Sequence, residues 1–206
     1  MIFSCLLTGV GDQGLMLVSR LIGAAAIAKG LDVRGSDSGS VLQGGSVVSH
    51  VRMGQNIYSP LIPRGKADLV IAFEPAEAVR VHSFLSPTGR MLVLDRGIAA
   101  GSVIPGEGKY ESAEMLNFLD AYFSHPSQER ASQTGGGDWL TVIDTGALTT
   151  QCGSSGVLNT ALLGVAAEKK FFPFTAEDLL NVIKDQLPPD SLDVNIRAFN
   201  AGRDIA

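Results

Sequence analysis

Residues 1–23 read MIFSCLLTGVGDQGLMLVSRLIG: an apolar run, a glycine-rich turn and a second apolar run. The first run is almost continuous, which is typical of a strand in a sheet that is covered on both faces. Gly9, Gly11 and Gly14 have the spacing G-x-G-x-x-G, so the backbone can turn tightly there and approach a ligand closely. The first N–H groups of the helix that follows would favour an anion. The stretch therefore predicts a β–α unit of the nucleotide-binding type.

The dinucleotide-binding fingerprint is incomplete beyond this turn. A second strand is predicted over residues 31–35, and it runs into Ser36, Asp37, Ser38 and Gly39. The acidic residue that binds a ribose usually lies about 20 residues after the glycines, at the end of that strand. Asp37 comes a few residues later, so the glycine triplet alone does not establish dinucleotide binding.

The composition limits the classes of function. The chain has 206 residues, a net charge of −5 and 45% hydrophobic residues, which suits one globular domain with a substantial core. The negative charge and the absence of a Lys/Arg cluster argue against nucleic-acid binding. The two cysteines, Cys5 and Cys152, do not form the spacing of an iron–sulfur or zinc site. No apolar stretch reaches the ~20 residues needed to cross a bilayer, and no secretion signal is recognisable, so we expect a cytoplasmic location.

Strand-like and helix-like segments alternate along the chain. Strand patterns cover residues 1–7, 31–35, 46–54, 68–73, 90–95, 101–104 and 139–143, and helix patterns cover 13–29, 74–85, 111–123, 157–168, 175–186 and 192–203. This alternation predicts a single α/β domain over residues 1–206, with a largely parallel, doubly wound sheet of the Rossmann or flavodoxin type. Residues 125–138, which are polar and contain three consecutive glycines, are predicted to be a flexible insertion.

Several residues outside the glycine turn are candidates for the site. The glycine-rich segment 36–46 is predicted to be a loop that lines the working crevice, because loops at strand ends commonly do so in α/β sheets. Asn159 either contacts the site or caps the helix that it begins, and the cap is the simpler interpretation. His50 and Arg52 are interpreted as hydrogen-bonded structural residues. The spacing of the three histidines does not assemble a triad of histidine, carboxylate and nucleophile.

Several of these segments together resemble one family. GVGDQG at residues 9–14 and GGSVVSHVR at residues 44–52 closely resemble the gamma-type domain of 2-oxoacid:ferredoxin oxidoreductases. Within that family they most resemble the small, or beta, subunit of the indolepyruvate type. The resemblance continues through FEP at residues 73–75 and from Asn159 to Gly202, so it spans nearly the whole chain.

This resemblance implies the role of a subunit. In such enzymes a large subunit carries thiamine diphosphate, Mg and iron–sulfur clusters, decarboxylates a 2-oxoacid oxidatively and passes the electrons to ferredoxin. In the indolepyruvate type, arylpyruvates and the co-substrate coenzyme A (CoA) yield the aryl-acetyl-CoA. The resemblance implies that this chain holds no cofactor, metal ion or catalytic residue itself. It would act only in a hetero-oligomer with the large subunit, and would reach ferredoxin through that complex.

The resemblance also implies two groups of site residues. The cofactor-binding turn comprises Gly9, Gly11, Gln13 and Gly14, and the substrate or partner loop comprises Ser36, Gln43, Gly44, Gly45, Ser46 and Asn159. The sequence departs from the family's pattern at Gln43, where an arginine is usual, and at Asp12, where a further glycine is common. Both departures make the loops less favourable for an anion. Gln lacks the charge and the bidentate fork of Arg, and Asp12 adds a negative charge.

Two other functions remain open from the sequence. The chain can be a diverged, non-catalytic assembly subunit that kept the fold and lost the site, which the altered loop favours. It can also be a free-standing Rossmann-type nucleotide-binding oxidoreductase, which the incomplete fingerprint disfavours. A neighbouring gene for a large thiamine- and cluster-containing subunit would argue against the second alternative.

Overall fold

The computed structural model describes residues 2–11, 14–39, 45–95, 111–124 and 139–206, and in them six strands and seven α-helices. The strands are β1 (Ile2–Val10), β2 (Asp32–Gly39), β3 (Ser46–Gly54), β4 (Ala67–Ala72), β5 (Leu85–Leu94) and β6 (Leu140–Ile143). The helices are α1 (Leu15–Ala28), α2 (Pro75–Val81), α3 (Ser112–Ser124), α4 (Thr145–Cys152), α5 (Leu158–Glu168), α6 (Ala176–Gln186) and α7 (Pro189–Asp204). Among the described residues, no helix is both long enough and apolar enough to span a membrane.

The strands form one sheet in the order β2-β3-β1-β4-β5-β6. β1, β4, β5 and β6 are parallel, whereas β3 is antiparallel to both of its neighbours, β1 and β2. The α/β fold is as predicted, but the sheet is mixed. The reason is the short connection between β2 and β3, since parallel pairing would need a crossover of a dozen or more residues.

Both faces of the sheet are covered, which explains the apolar runs in its strands. On one face, fully buried side chains such as Leu7 and Ile71 pack against α1 and the C-terminal helices α4 to α7. On the other face, Leu6 and Val70 pack against α2 and α3. Cys5 is fully buried in β1, and burial raises the pKa of its thiol.

The helices α5 and α7 approach each other closely through two glycines. A Cβ built on Gly164 would lie 2.0 Å from the carbonyl oxygen of Phe199, and one built on Gly202 would lie 1.9 Å from that of Ala161. Only glycine leaves room for another backbone at these distances. The pair holds α7 against α5, whose first turn carries Asn159.

Several predicted boundaries were wrong. The second strand is longer than residues 31–35, because residues 36–39 continue it by pairing with β3. The helix predicted over 74–85 ends at Val81 and is followed by a 3-10 turn, and β5 already begins at Leu85. The last helix begins at Pro189, since proline is well suited to a first helical position.

The helix α4 was not predicted at all. Its sequence, TGALTTQC, combines a glycine and three threonines and has little amphipathic pattern, so its propensity for helix is weak. Capping and burial stabilise this helix despite its weak propensity. Asp144 caps the helix by accepting a hydrogen bond from the Ala147 N–H at 2.9 Å, and Leu148 and Cys152 are buried in the core. The predicted strand at 101–104 and the predicted insertion at 125–138 lie outside the described residues.

Candidate functional site

The glycine turn lies at the carboxyl edge of the sheet, where β1 ends. Gly9 is still part of β1 and is paired with Val47 of β3. Gly11 and Gly14 both have left-handed backbones, with φ of +58° and +76°, which side chains other than glycine rarely adopt. Gly14 is the N-cap of α1 and provides no side-chain cap. The predicted strand–turn–helix is therefore present, while Gln13 lies outside the described residues.

The beginning of β3 reaches the same corner, because β3 is antiparallel to β1. The Gly11 N–H donates to the Gly45 carbonyl oxygen at 3.0 Å. Ser46 follows Gly45 and is the first residue of β3, opposite Val10. Gly45 and Ser46, which were assigned to the substrate or partner loop, thus lie beside the glycine turn.

The predicted loop 36–46 needs a correction. Ser36 is not in a loop but in β2, paired with His50 of β3. Residues 36–39 are polar and contain glycine, so their propensity for strand is weak and the strand was not predicted there. Pairing with β3 overrides this weak propensity. Gln43 and Gly44 lie outside the described residues. Of the predicted partner loop, Gly45, Ser46 and Asn159 lie next to the turn, whereas Ser36 lies within the sheet.

Asn159 is not the cap of its helix. The N-cap position of α5 belongs to Val157, which makes no side-chain cap. Asn159 lies one residue inside the helix, and its Oδ1 accepts a hydrogen bond from the Thr160 N–H at 2.8 Å. The other side of the amide faces the glycine turn: a Cβ built on Gly14 would lie 2.1 Å from Asn159 Nδ2.

The orientation of the Asn159 amide is determined by its neighbours. Because Oδ1 faces the Thr160 N–H, the donor Nδ2 is the atom that faces Gly14. Thr160 Oγ1 in turn donates to Asn195 Oδ1 at 2.6 Å, and Asn195 Nδ2 donates to the Ser191 carbonyl at 2.8 Å. Asn159 is only 8% exposed, yet no described residue accepts a hydrogen bond from its Nδ2. The corner therefore contains an oriented side-chain donor.

Two buried carboxylates lie at the same edge, at the start of α2: Glu74 is its N-cap residue and Glu77 lies in its first turn. Glu77 accepts hydrogen bonds from the hydroxyls of Thr8 and Ser46, and is paired with Arg80 at 3.0 Å. Glu74 is equally buried and follows the carboxyl end of β4. Burial, and then the neighbouring Glu77 carboxylate, raise the pKa of Glu74 to about 7, against the opposing effect of Arg80.

Sequence reasoning missed the role of Glu77. An acidic residue in the first turn of a helix usually interacts with the helix dipole at the surface, so its position after Pro75 gave no reason to expect burial. The position of Thr8 did not indicate a role for its hydroxyl either, because a threonine within an apolar strand is common. Both residues become significant only when α2 packs beside the ends of β1 and β3.

The histidine and arginine of β3 make the structural contacts that were predicted. His50 Nδ1 accepts a hydrogen bond from the Ile62 N–H at 3.2 Å, and burial lowers the pKa of this histidine. Arg52 donates to the carbonyl oxygens of Ser59 and Leu61. Both side chains anchor the segment that follows β3, on the face of the sheet that carries α2.

The groups at this corner can bind and orient a ligand. The backbone N–H groups of the first turn of α1 and the Asn159 amide are donors. The Glu77 carboxylate and the two hydroxyls that donate to it are polar groups at the same edge. No described part of the chain contains three or more His, Cys, Asp or Glu side chains placed to hold a metal ion.

Comparison with known families gives a match over almost the whole chain. The model of the pyruvate ferredoxin/flavodoxin oxidoreductase family matches residues 4–205. A relative from Thermococcus kodakarensis, named indolepyruvate oxidoreductase subunit IorB, is 32% identical over 202 residues, covering 97% of this chain and 94% of the relative. The protein of the same name from Methanothermobacter thermautotrophicus is 35% identical over 195 residues, covering 94% and 92%.

Solved structures agree on the fold. The pyruvate oxidoreductase subunit PORC of Thermotoga maritima superposes with a TM-score of 0.65 at 19% identity, covering 98% of this chain and 96% of that one. The 2-oxoglutarate:ferredoxin oxidoreductase of Magnetococcus marinus, solved with 2-oxoglutarate, coenzyme A and succinyl-CoA bound, gives a TM-score of 0.67 at 18% identity. All of this chain matches 31% of that longer chain.

Proposed function

Because this chain belongs to the pyruvate ferredoxin/flavodoxin oxidoreductase family, we propose that it is the small subunit of an indolepyruvate-type 2-oxoacid:ferredoxin oxidoreductase, inactive alone. Its partner is a large subunit that carries thiamine diphosphate, Mg and iron–sulfur clusters. The observation that carries this proposal is the 32–35% identity to subunits of that name over at least nine tenths of both chains.

The proposed reaction is the oxidative decarboxylation of an arylpyruvate, with CoA as acyl acceptor and ferredoxin as electron acceptor. The large subunit supplies the thiamine and cluster chemistry. This chain does not fit a cluster of its own, because it has two cysteines, and both are buried on different elements of the core. Its residues contribute binding and orientation at the carboxyl edge of the sheet.

Within this role, the glycine turn is the part that would bind an anionic co-substrate such as CoA. Helix geometry leaves the N–H groups of Leu15 and Met16 without an acceptor inside α1, and the helix dipole favours negative charge at this end. Gly11 and Gly14 keep the backbone open to close approach. The Asn159 Nδ2 donor beside Gly14 adds a side-chain contact to the same corner.

The partner contact is proposed for residues 40–46, which include Gln43, Gly44, Gly45 and Ser46. This segment is shorter than the predicted loop, since residues 36–39 are already paired in the sheet. Amide hydrogen exchange on the free chain and on the complex tests it. Residues 40–46 should gain protection on assembly, while β4 remains protected in both. Identical exchange of residues 40–46 in the two states would move the contact elsewhere.

The function itself is tested by purifying the chain with the candidate large subunit and measuring ferredoxin reduction with CoA and several 2-oxoacids. Indolepyruvate and phenylpyruvate should support the fastest turnover, pyruvate and 2-oxoglutarate should be poor substrates, and neither subunit should be active alone. Failure of the two chains to copurify, or a complex without 2-oxoacid activity, would favour a different role such as that of an assembly subunit.

The role of the corner is tested with Asn159→Leu, which keeps the approximate size and removes the donor. The KM for CoA should rise about tenfold, the loss expected for one hydrogen bond to a charged group, while the KM for the 2-oxoacid changes little. Asn181→Leu, at an exposed position of α6, is the matched control and should leave both KM values unchanged. An unchanged KM for CoA in Asn159→Leu would remove the residue from the site.

A further inference from the structure

Glu77 connects three elements at the carboxyl edge of the sheet. It lies in the first turn of α2 and is only 2% exposed. Its Oε2 accepts hydrogen bonds from Thr8 Oγ1 of β1, at 3.3 Å, and from Ser46 Oγ of β3. Its Oε1 is paired with Arg80 Nε at 3.0 Å, which neutralises the buried charge from the same helix. One carboxylate thus accepts from two neighbouring strands and is balanced by a cation.

The contact with Ser46 extends to the glycine turn. Ser46 is bonded through its backbone to Gly45, and the Gly45 carbonyl accepts the hydrogen bond of the Gly11 N–H at 3.0 Å. Any movement of Ser46 away from Glu77 would also move the acceptor of Gly11. Glu77, Ser46, Gly45 and Gly11 thus form one continuous series of contacts.

We propose that Glu77 is a positioning residue that holds Gly45, Ser46 and the glycine turn in the conformation that binds the ligand. The ligand part of this inference rests on the proposed function, whereas the positioning part concerns the chain alone. Glu77 needs to be a carboxylate, because a single oxygen accepts two hydroxyl hydrogens while the other faces a guanidinium. A glutamine has one acceptor oxygen and one NH₂ donor group. The NH₂ group would face either Arg80 or the two hydroxyls, so one of the present contacts would be lost in each orientation.

The chain offers a closely matched control for Glu77. Glu74 is the N-cap residue of the same helix, has the same residue type and is also 2% exposed. Unlike the Glu77 carboxylate, the Glu74 carboxylate accepts no hydrogen bond from a described residue, and only its backbone carbonyl accepts one, from the Ala78 N–H. If burial of a carboxyl group at the start of α2 alone mattered, the two residues would be equivalent. If the hydrogen bonds to Thr8 and Ser46 matter, only Glu77 should affect the turn.

The first test uses the free chain and measures exchange of the Gly11 amide by NMR. In Glu77→Gln this amide should exchange about tenfold faster, the effect of losing one charge-assisted hydrogen bond in the chain of contacts. Glu74→Gln should leave Gly11 exchange unchanged, as should Glu168→Gln at the surface pair with Arg203. Unchanged Gly11 exchange in Glu77→Gln, or equal acceleration in Glu74→Gln, would overturn the proposal.

Ser46 variants keep the test decisive if Glu77→Gln does not fold. Ser46→Ala removes one hydroxyl and leaves the contacts of Glu77 with Thr8 and Arg80. It should also accelerate exchange of the Gly11 amide, while Ser46→Thr, which retains the hydroxyl, should restore the slow rate. If Ser46→Ala and Ser46→Thr exchange at the same rate, the hydroxyl does not position the turn.

A second test uses the assembled enzyme and separates this inference from the proposed function. Glu77→Gln should raise the KM for CoA several-fold and leave kcat nearly unchanged, because the turn binds and does not react. Faster Gly11 exchange together with an unchanged KM would support the positioning role and contradict the assignment of CoA to the turn. A fall in kcat alone, with normal Gly11 exchange, would contradict the positioning role.

Discussion

The side-chain amide of Asn159 lies against the backbone of Gly14, so closely that a Cβ on Gly14 would be 2.1 Å from Asn159 Nδ2. The contact joins the first turn of α5 to the N-terminus of α1 and places an oriented hydrogen-bond donor at the carboxyl edge of the sheet. It brings two residues that are far apart in the sequence into one corner. It also makes Gly14 sensitive to the smallest possible substitution.

Gly14→Ala should destabilise the protein for two reasons. The left-handed backbone, with φ of +76°, costs a side chain about 1–2 kcal/mol, and the new methyl group must displace the Asn159 amide. Gly30→Ala is the control, because Gly30 has φ of +74° and nothing within 4 Å of its Cβ position. Urea unfolding should show a larger loss of unfolding free energy for Gly14→Ala, and Asn159→Ala should recover part of the difference. Equal losses at the two positions would mean that the Asn159 contact has no energetic weight.

Gly202→Ala should be among the most damaging substitutions in the chain. Its Cβ would lie 1.9 Å from the Ala161 carbonyl oxygen, and a backbone atom cannot rotate away as a side chain can. We expect a loss of about 3 kcal/mol or more, measured by thermal and urea unfolding. Gly23→Ala provides the contrast, since its nearest neighbour would be Val33 Cγ1 at 3.5 Å. In the interior of α1 that change should stabilise by up to about 1 kcal/mol. A mild effect at Gly202 would contradict the close α5–α7 approach.

Glu74 should make stability depend on pH in the direction opposite to that of most carboxylates. Its pKa is raised from 4.5 to about 7 in the folded chain, so the folded state binds a proton more tightly than the unfolded state does. The contribution of the neutral side chain is therefore complete below about pH 4.5 and is lost as the pH rises through 7. Over this range the loss reaches at most about 3 kcal/mol.

Glu74→Gln isolates this effect, because the amide is uncharged at every pH. Unfolding free energies measured between pH 4.5 and 8 should fall with rising pH for the parent relative to Glu74→Gln. Glu168→Gln, at the exposed ion pair with Arg203, should follow the parent. Parallel pH profiles for the parent and Glu74→Gln would show that Glu74 is not a buried neutral acid near pH 6.

Lys170→Gly should stabilise the protein. Lys170 follows the C-terminus of α5 with φ of +57°, and its N–H and that of Phe171 donate to the carbonyls of Ala167 and Ala166. This is the left-handed position that usually holds glycine, so relief of the strain should add about 1 kcal/mol. Lys169→Gly, one residue earlier with φ of −68°, should instead destabilise by a similar amount. A calorimetric Tm that falls for both variants would contradict this account of the helix end.

The parts of the fold that were predicted well are those in which one local pattern decides the structure. β3 was predicted over residues 46–54 and is observed there, because alternating side chains distinguish its two faces. The helix predicted over residues 175–186 is observed as α6, and the side chains and N–H groups of Thr175 and Asp178 bond reciprocally at its start as a capping box. In contrast, the end of β2 and all of α4 have weak local propensity and depend on pairing, capping and burial.

The sequence alone determined that a strand, a glycine turn and a helix open an α/β fold, and which glycines make that turn. The reason is that a left-handed backbone favours glycine and a strand buried on both faces favours an apolar run, and both are visible in consecutive residues. Only the tertiary structure decided what surrounds the turn. Glu77 contacts Thr8 and Ser46, which are 69 and 31 residues away in the sequence. Asn159 and Gly14 are separated by an even longer stretch of sequence. Such contacts arise when helices pack over a finished sheet, so no local pattern encodes them.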